Sequence, residues 1–350
     1  MKYFYFAIFI IFSSLNFSAF SQQSSEKELV LYNWDDYMPE SVIEEFFQET
    51  GYRVTQIYYE TDGLKDELIY TTQGKGMDLI IGSRYSFNKY ADKGNLLAEI
   101  PPEQFPNKKH IASRWLDESP KINSKSAPML WGTLGIIYRK DLVEKPVTSW
   151  MSLLKPDESL KNKIIMVNDV RDSMASALIA LNYSLNSSSP KEITEAGRLL
   201  KAQRPYVKAY RYISLGENSE LLTGAVHMTL GYNGDAMILQ DYSDSIDYVV
   251  PEEGTQLWTD FIGVFELSEK KEAAFKFINF INDPKRAAFI SEELGTASSN
   301  VAAEQFMSKE HLSNPLIYPP KAVIEKSTFL QPLSSRATSM YNTIFINITR

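Results

Sequence analysis

The sequence predicts an α/β fold of two lobes, each a doubly wound sheet flanked by helices. Three observations carry this. Strand-like and helix-like segments alternate almost throughout. The run "MDLIIG" at 77–82 is nearly all apolar, as in a parallel strand covered on both faces. Two long strand-like segments, "MLWGTLGIIYRK" at 129–140 and "LWTDFIGVFE" at 257–266, bracket a complete α/β unit. They read as crossings between lobes, so that neither lobe is continuous in sequence.

The first residues fall outside this pattern. Lys2 supplies one positive charge, Tyr3 to Phe12 form an apolar run of 10, and Ala19 and Ser21 are small residues at −3 and −1 of a cleavage point. Residues 1–21 are expected to be a secretory signal peptide. No later stretch reaches the roughly 18 apolar residues of a membrane span. The mature chain is therefore expected to be soluble and exported, and a monomer. Cleavage after Ser21 leaves 329 residues with 35 basic and 44 acidic side chains, hence a net charge of −9. That length suits two cores better than one, and the charge argues against nucleic acid and anionic membrane as partners. With no Cys, disulfides, thiolate metal sites and a lipid anchor on Cys are excluded.

Taken in order, Leu29–Asn33 reads as a buried strand. A helix follows over Glu40–Thr50, with Val42, Ile43, Phe46 and Phe47 on one face, Pro39 at its entrance and Gly51 at its exit. Arg53–Tyr59 is a strand, Leu64–Thr72 a helix, Met77–Gly82 a strand, and a helix bearing Phe87 and Tyr90 comes next. This is βαβαβ. A loop-rich region from Pro101 to Pro128 precedes the first long strand. Further strands are expected at Lys163–Asn168, Tyr206–Ile213, His227–Tyr232 and Ile246–Val250, with helices after Val170, Pro190, Glu217 and Gly234. Ala274, Phe277, Ile278 and Ile281 mark a helix after the second long strand. The lobes are expected as 27–135 plus 261–305 and 136–260 plus 306–350.

In open α/β sheets ligands gather beyond the carboxyl ends of the strands. Those ends carry Trp34, Asp35, Asp36 and Tyr37; Ser83, Arg84 and Tyr85; Asp169 and Asp172; Tyr232 and Asp235; and Trp258 with Asp260. Aromatic rings and aspartates recur, and Arg84 is the only base among them. Aromatic faces attract ammonium groups by about 0.5–2 kcal/mol and cover the methylenes between them. Carboxylates add charge-assisted hydrogen bonds. An anion site would show Arg, Lys and Gly-rich turns instead, and a sugar site more Asn, Gln and Arg. A linear polyamine fits best. Each residue has a plainer use: a Trp in a core, or Asp36, Asp169 and Asp172 complementing helix starts. The reading rests on five strand ends with one chemistry.

Catalytic signals are weak. His110, His227 and His311 lack metal-like spacing, and no nucleophile elbow, Walker or dinucleotide fingerprint is present. No cofactor is expected. Paired carboxylates could serve an exported carbohydrate-active hydrolase, the alternative of a different class.

The chain resembles the periplasmic spermidine/putrescine-binding proteins of bacterial ABC transporters. "LYNWDDYMPE", "FFQETGYRV", "MDLIIGSRY", "PMLWGTLGIIY", "VTSWMSLLKP", "VNDVRDSM", "GYNGDA", "VPEEGTQLWTDFIGV" and "FINFINDPKRAA" carry the resemblance from about Leu29 onward. It implies a two-lobed venus-flytrap fold holding a polyamine in its cleft and delivering it to an inner-membrane permease. It further implies a wall of Trp34, Asp36 and Tyr37 beside Ser83 and Tyr85, acids at Asp169 and Asp172, and an aromatic–acid pair at Trp258 and Asp260. Tyr232 stands where the family usually has Trp, Asp235 matches an acid of the putrescine-preferring branch, and Gln331 falls near a glutamine of the spermidine branch. Thr296 stands where the family often has Tyr. Some family members instead report polyamines, norspermidine among them, to a membrane-bound cyclic-di-GMP receptor, which is the second role the resemblance allows.

Overall fold

The computed structural model describes residues 27–350 apart from Asp36, Thr61, Lys93, Gly94, Glu118 and Ser119. The expected signal peptide and the candidate site residue Asp36 lie outside the described residues.

Strand β1 (Glu28–Asn33) leads through helix α1 (Glu40–Thr50) into β2 (Arg53–Tyr58), and α2 (Asp62–Thr72) into β3 (Leu79–Ser83) and α3 (Arg84–Asp92). Strand β1 pairs in parallel with both β2 and β3. Helix α1 buries Val42, Ile43 and Phe46 and stops at Gly51, whose φ of 74° suits a residue without Cβ and whose N–H donates to Phe47 O at 2.7 Å. The expected run at 77–82 becomes β3, with Leu79 to Gly82 all buried.

Strand β4 (Ser126–Arg139) is the crossing. Its first half pairs antiparallel with a later strand over Gln256–Val264, and from Leu134 it pairs with strands of the second lobe. Pro128, lacking an N–H, sits at a register shift that ends at Trp131. The second lobe runs through β5 (Ile164–Met166), α4 (Val170–Ala180), α5 (Pro190–Gln203), β6 (Val207–Tyr210), β7 (Met228–Tyr232), α6 (Asn233–Tyr242) and β8 (Ile246–Val249). Strand β5 pairs in parallel with β6 and β7, repeating the doubly wound pattern. Strand β9 (Gln256–Val264) then returns between β3 and β4. Helices α7 (Lys271–Ile281) and α8 (Pro284–Glu293), short strands β10 (Ala297–Ser298) and β11 (Thr328–Phe329), and helix α9 (Ser335–Thr349) complete the chain.

Two cores result. One gathers Leu29, Leu31, Phe46, Ile262, Phe277 and Phe329 among others; the second gathers Leu134, Ile136, Trp150, Leu178, Leu230 and Tyr341. Along β4 the change falls at Gly132–Thr133, between Trp131 of the first core and Leu134 of the second. The fold is the two-lobed α/β architecture expected. A helix after Glu217 is not present: residues 217–225 form turns held by Ser219 N→Gly216 O, Thr223 N→Ser219 O and Val226 N→Glu220 O. Gly216, Asn218, Ser219 and Gly224, which has φ +73°, favour turns over helix there. No described helix is long and apolar enough to cross a membrane.

Candidate functional site between the lobes

Register brings the strand ends together. Antiparallel pairing sets Ser83 of β3 opposite Asp260 of β9, and Gly132 of β4 opposite Trp258. A methyl group at 132 would run into Asn233 Oδ1 and the Trp258 ring, so glycine is what lets that indole come close to the crossing strand. Past the end of β1, Trp34 packs edge-on to Tyr37 at 5.1 Å and tilts against Tyr59 at 5.0 Å. The Tyr37 hydroxyl donates to the Asp260 carboxylate, 223 residues away in sequence.

In the second lobe Asp169 caps α4, accepting from Arg171 N at 2.8 Å and Asp172 N at 2.9 Å. That capping turns Asp172 inward, where it is buried. Asp172 accepts from Tyr232 Oη at 2.6 Å and from Gln256 Nε2 at 2.8 Å. Tyr232 stacks on Tyr212 at 6.4 Å. Asp235, in the first turn of α6, accepts from Tyr232 N at 3.1 Å and so fixes the strand-to-helix turn.

A cavity of about 240 Å³ lies between the lobes. Of the residues read from sequence, Ser83, Tyr85, Asp169, Asp172, Tyr232 and Trp258 line it. Trp34, Tyr37 and Asp260 form an aromatic and acidic cluster beside it and do not line it. Asp235 sits behind Tyr232. Gln331 meets α4 through its backbone: its O accepts from Arg171 Nη1 at 3.1 Å and its N donates to Asn186 Oδ1 at 2.8 Å. Thr296 is buried, with its backbone O accepting from Ser291 Oγ at 2.5 Å.

Burial dominates the electrostatics. It pushes Asp260 up to about 7, with Asp62 nearby adding to the rise and Tyr37 and Lys65 opposing it. It moves Asp172 in the same direction, helped by Asp169 and opposed by the hydrogen bonds from Tyr232 and Gln256. Asp235 rises to about 6 for the same reason. Buried carboxyl groups held near neutrality prefer a positive partner.

The structure adds residues that the strand-end rule did not reach. Gln256 lines the cavity, and its Oε1 and the Thr259 Oγ1 are buried acceptors without a hydrogen-bond partner among the described residues. Gln256 lies two before Trp258 and shares its face of the strand, which was the available signal. Arg84 is not the only base: Lys89 and Arg171 also line the cavity, and Lys65 lies fully buried beside it. The acceptors and rings suit a ligand rich in N–H donors with aliphatic carbon between them.

The family model for bacterial extracellular solute-binding proteins matches residues 41–316. The chain belongs to that family. Within the family, a spermidine/putrescine-binding periplasmic protein of Salmonella typhimurium is 30% identical over 305 residues, covering 87% of this chain and 86% of that protein. A norspermidine sensor of Vibrio cholerae is 27% identical over 329 residues, covering 93% and 90%. Among solved structures, a spermidine/putrescine ABC transporter substrate-binding protein from Streptococcus pneumoniae superposes with a TM-score of 0.83 at 26% identity, covering 92% of this chain and 98% of that one. The chain is thus a solute-binding protein and not an enzyme, and the hydrolase alternative falls away.

Proposed function

We propose that this solute-binding protein takes a polyamine of the spermidine/putrescine class in the cleft between its lobes, in the periplasm, and hands it to an inner-membrane ABC permease. The observation that carries the reading is that Asp172 and Tyr232 of one lobe and Trp258 of β9 line one cavity. A carboxylate there can take an ammonium while the rings cover the methylenes. The names of the Salmonella and Streptococcus relatives support the ligand class. In this reading Asp169, Asp172 and Asp260 hold ammonium groups, with Asp36 and Asp235 in support. Trp34, Tyr37, Tyr85, Tyr232 and Trp258 flank the carbon chain, and Ser83 and Gln331 complete the site. The lobe division at 135/136 and 260/261 is part of the proposal. It is supported by β4 changing partners at Thr133–Leu134 and by β9 pairing with β3 from Asp260 onward. In the last segment Ile317 and Phe329 pack in the first core, while Leu330, Leu333 and α9 pack on the second.

Thermal shift followed by calorimetry across diamines, triamines, sugars and amino acids tests this. Stabilisation by amines alone is the expected result; stabilisation by a sugar or an anionic amino acid, with none by amines, would overturn it. A second role, as sensor for a membrane-bound receptor, draws on the Vibrio relative's name. Co-purification from native membranes with a permease or with a receptor separates the two.

A further inference from the structure

Lys65 has no exposed side-chain surface, although it sits on α2 beside the exposed Leu64 and Glu67. Buried lysines are rare unless paired. Its ammonium lies 2.5 Å from Asp62 Oδ1, 3.5 Å from Asp66 Oδ1 and 2.8 Å from Ser86 Oγ. The ring centroids of Tyr59, Trp34 and Tyr90 stand 5.2, 5.9 and 6.0 Å away. Two carboxylates, a hydroxyl and three aromatic faces around one ammonium make an amine-binding cage. The cage belongs to the cleft, because Asp62, Asp66 and Ser86 all line the cavity.

The first lobe's other acceptors are answered in the same way. Asp66 also receives Lys89 Nζ at 3.1 Å and Tyr90 Oη at 2.6 Å. Lys89 Nζ in turn stands 4.6 Å over the Tyr85 ring. Arg84 lines the same side with its guanidinium 4.4 Å over Phe329. Across the cavity the pattern differs: the Asp169 carboxylate accepts backbone N–H donors of α4 and Asp172 accepts from a hydroxyl and an amide, while Arg171, the cation on that side, donates to Gln331 O and Asn186 Oδ1.

We propose that Lys65 is a tethered ammonium that fills the first lobe's amine position, so that the cleft selects a diamine over a triamine. The inference rests on the polyamine reading above. A diamine finds carboxylates at Asp172 with Asp169 on the cavity wall and at Asp260 beside the cavity. The third ammonium of a longer ligand would meet Lys65 and Lys89, and juxtaposed like charges discriminate strongly against a ligand.

The test is calorimetry with putrescine, cadaverine and spermidine on the wild-type protein and on Lys65→Met and Lys65→Arg. The wild type is expected to bind a diamine about tenfold or more tighter than the triamine. Lys65→Met, which takes the buried ammonium away from Asp62 and Asp66, is expected to shrink that ratio by about tenfold or reverse it, while Lys65→Arg keeps it. A structural ion pair alone would lower stability in Lys65→Met and leave the ratio where it was. A wild type that binds spermidine as tightly as a diamine overturns the inference, even if Lys65→Met fails to fold. So does a folded Lys65→Met with an unmoved ratio. Absence of binding by every amine would instead overturn the polyamine reading itself.

Discussion

Asp172 and Asp260 are both buried and both shifted towards neutrality, chiefly by desolvation. An ammonium ligand needs them ionised, so proton loss accompanies binding. Because their folded values lie above the ordinary carboxyl range, the native state holds more protons than the unfolded chain around pH 5–7. The two groups therefore favour the ligand-free fold as pH falls from about 8 to 5 and oppose it as pH rises through 7. Ligand affinity runs the other way: it is expected to weaken by up to about tenfold per group for each pH unit below 7. Calorimetry at pH 7 in buffers of different ionisation enthalpy should register proton release. A dissociation constant flat between pH 6 and 8 would mean that neither carboxyl takes the ammonium. Asp260→Asn tests one group alone. The amide retains a hydrogen-bonding partner for Tyr37 and loses the charge, so polyamine affinity is expected to fall at least about tenfold. Unchanged affinity by calorimetry would remove Asp260 from the site.

At the scale of elements, β4 does two jobs, crossing between cores and leaving room for Trp258 at Gly132. Gly132→Ala places a methyl group against Asn233 Oδ1 and the indole. Overpacking of this kind costs about 1–3 kcal/mol, and the displaced ring should weaken ligand binding as well. Thermal unfolding together with calorimetry would show both losses; a variant with wild-type melting and affinity would mean that the indole has space to move. The same strand shows what sequence can and cannot disclose. Runs such as Leu79–Gly82 and Leu134–Ile137 are read correctly because burial on both faces demands unbroken apolar residues. The stretch after Glu217 is misread because Leu221, Leu222 and Val226 mimic helical spacing, while Gly216 and Gly224 decide the backbone. Strand ends identify seven residues that line the cavity, Arg84 among them, since connectivity alone fixes which ends face the cleft. Lys65 escapes that reading: hydropathy ranks lysine as exposed, and only the fold reveals that Asp62, Asp66 and three rings surround it.

For the whole molecule the decisive contact ties the crossing strand β9 to α4. Gln256, where β9 rejoins the first sheet beside β11, donates to Asp172 on α4 at 2.8 Å. The cavity beside this bond is lined by both halves, so a ligand filling it gains contacts only when the halves are together. Such a ligand binds the closed arrangement better and shifts the population towards it. Small-angle X-ray scattering should therefore give a smaller radius of gyration at saturating diamine than without it. The unfolding free energy should rise by about 2.7 kcal/mol at a ligand concentration one hundred times the dissociation constant. Gln256→Ala separates closure from chemistry: it removes the hydrogen bond between β9 and α4 while leaving both carboxylates, so affinity should fall and the compaction at full saturation should persist. An identical radius with and without bound ligand would mean that the lobes are already docked in the free protein. Selection would then lie wholly in the fixed charges of the cleft.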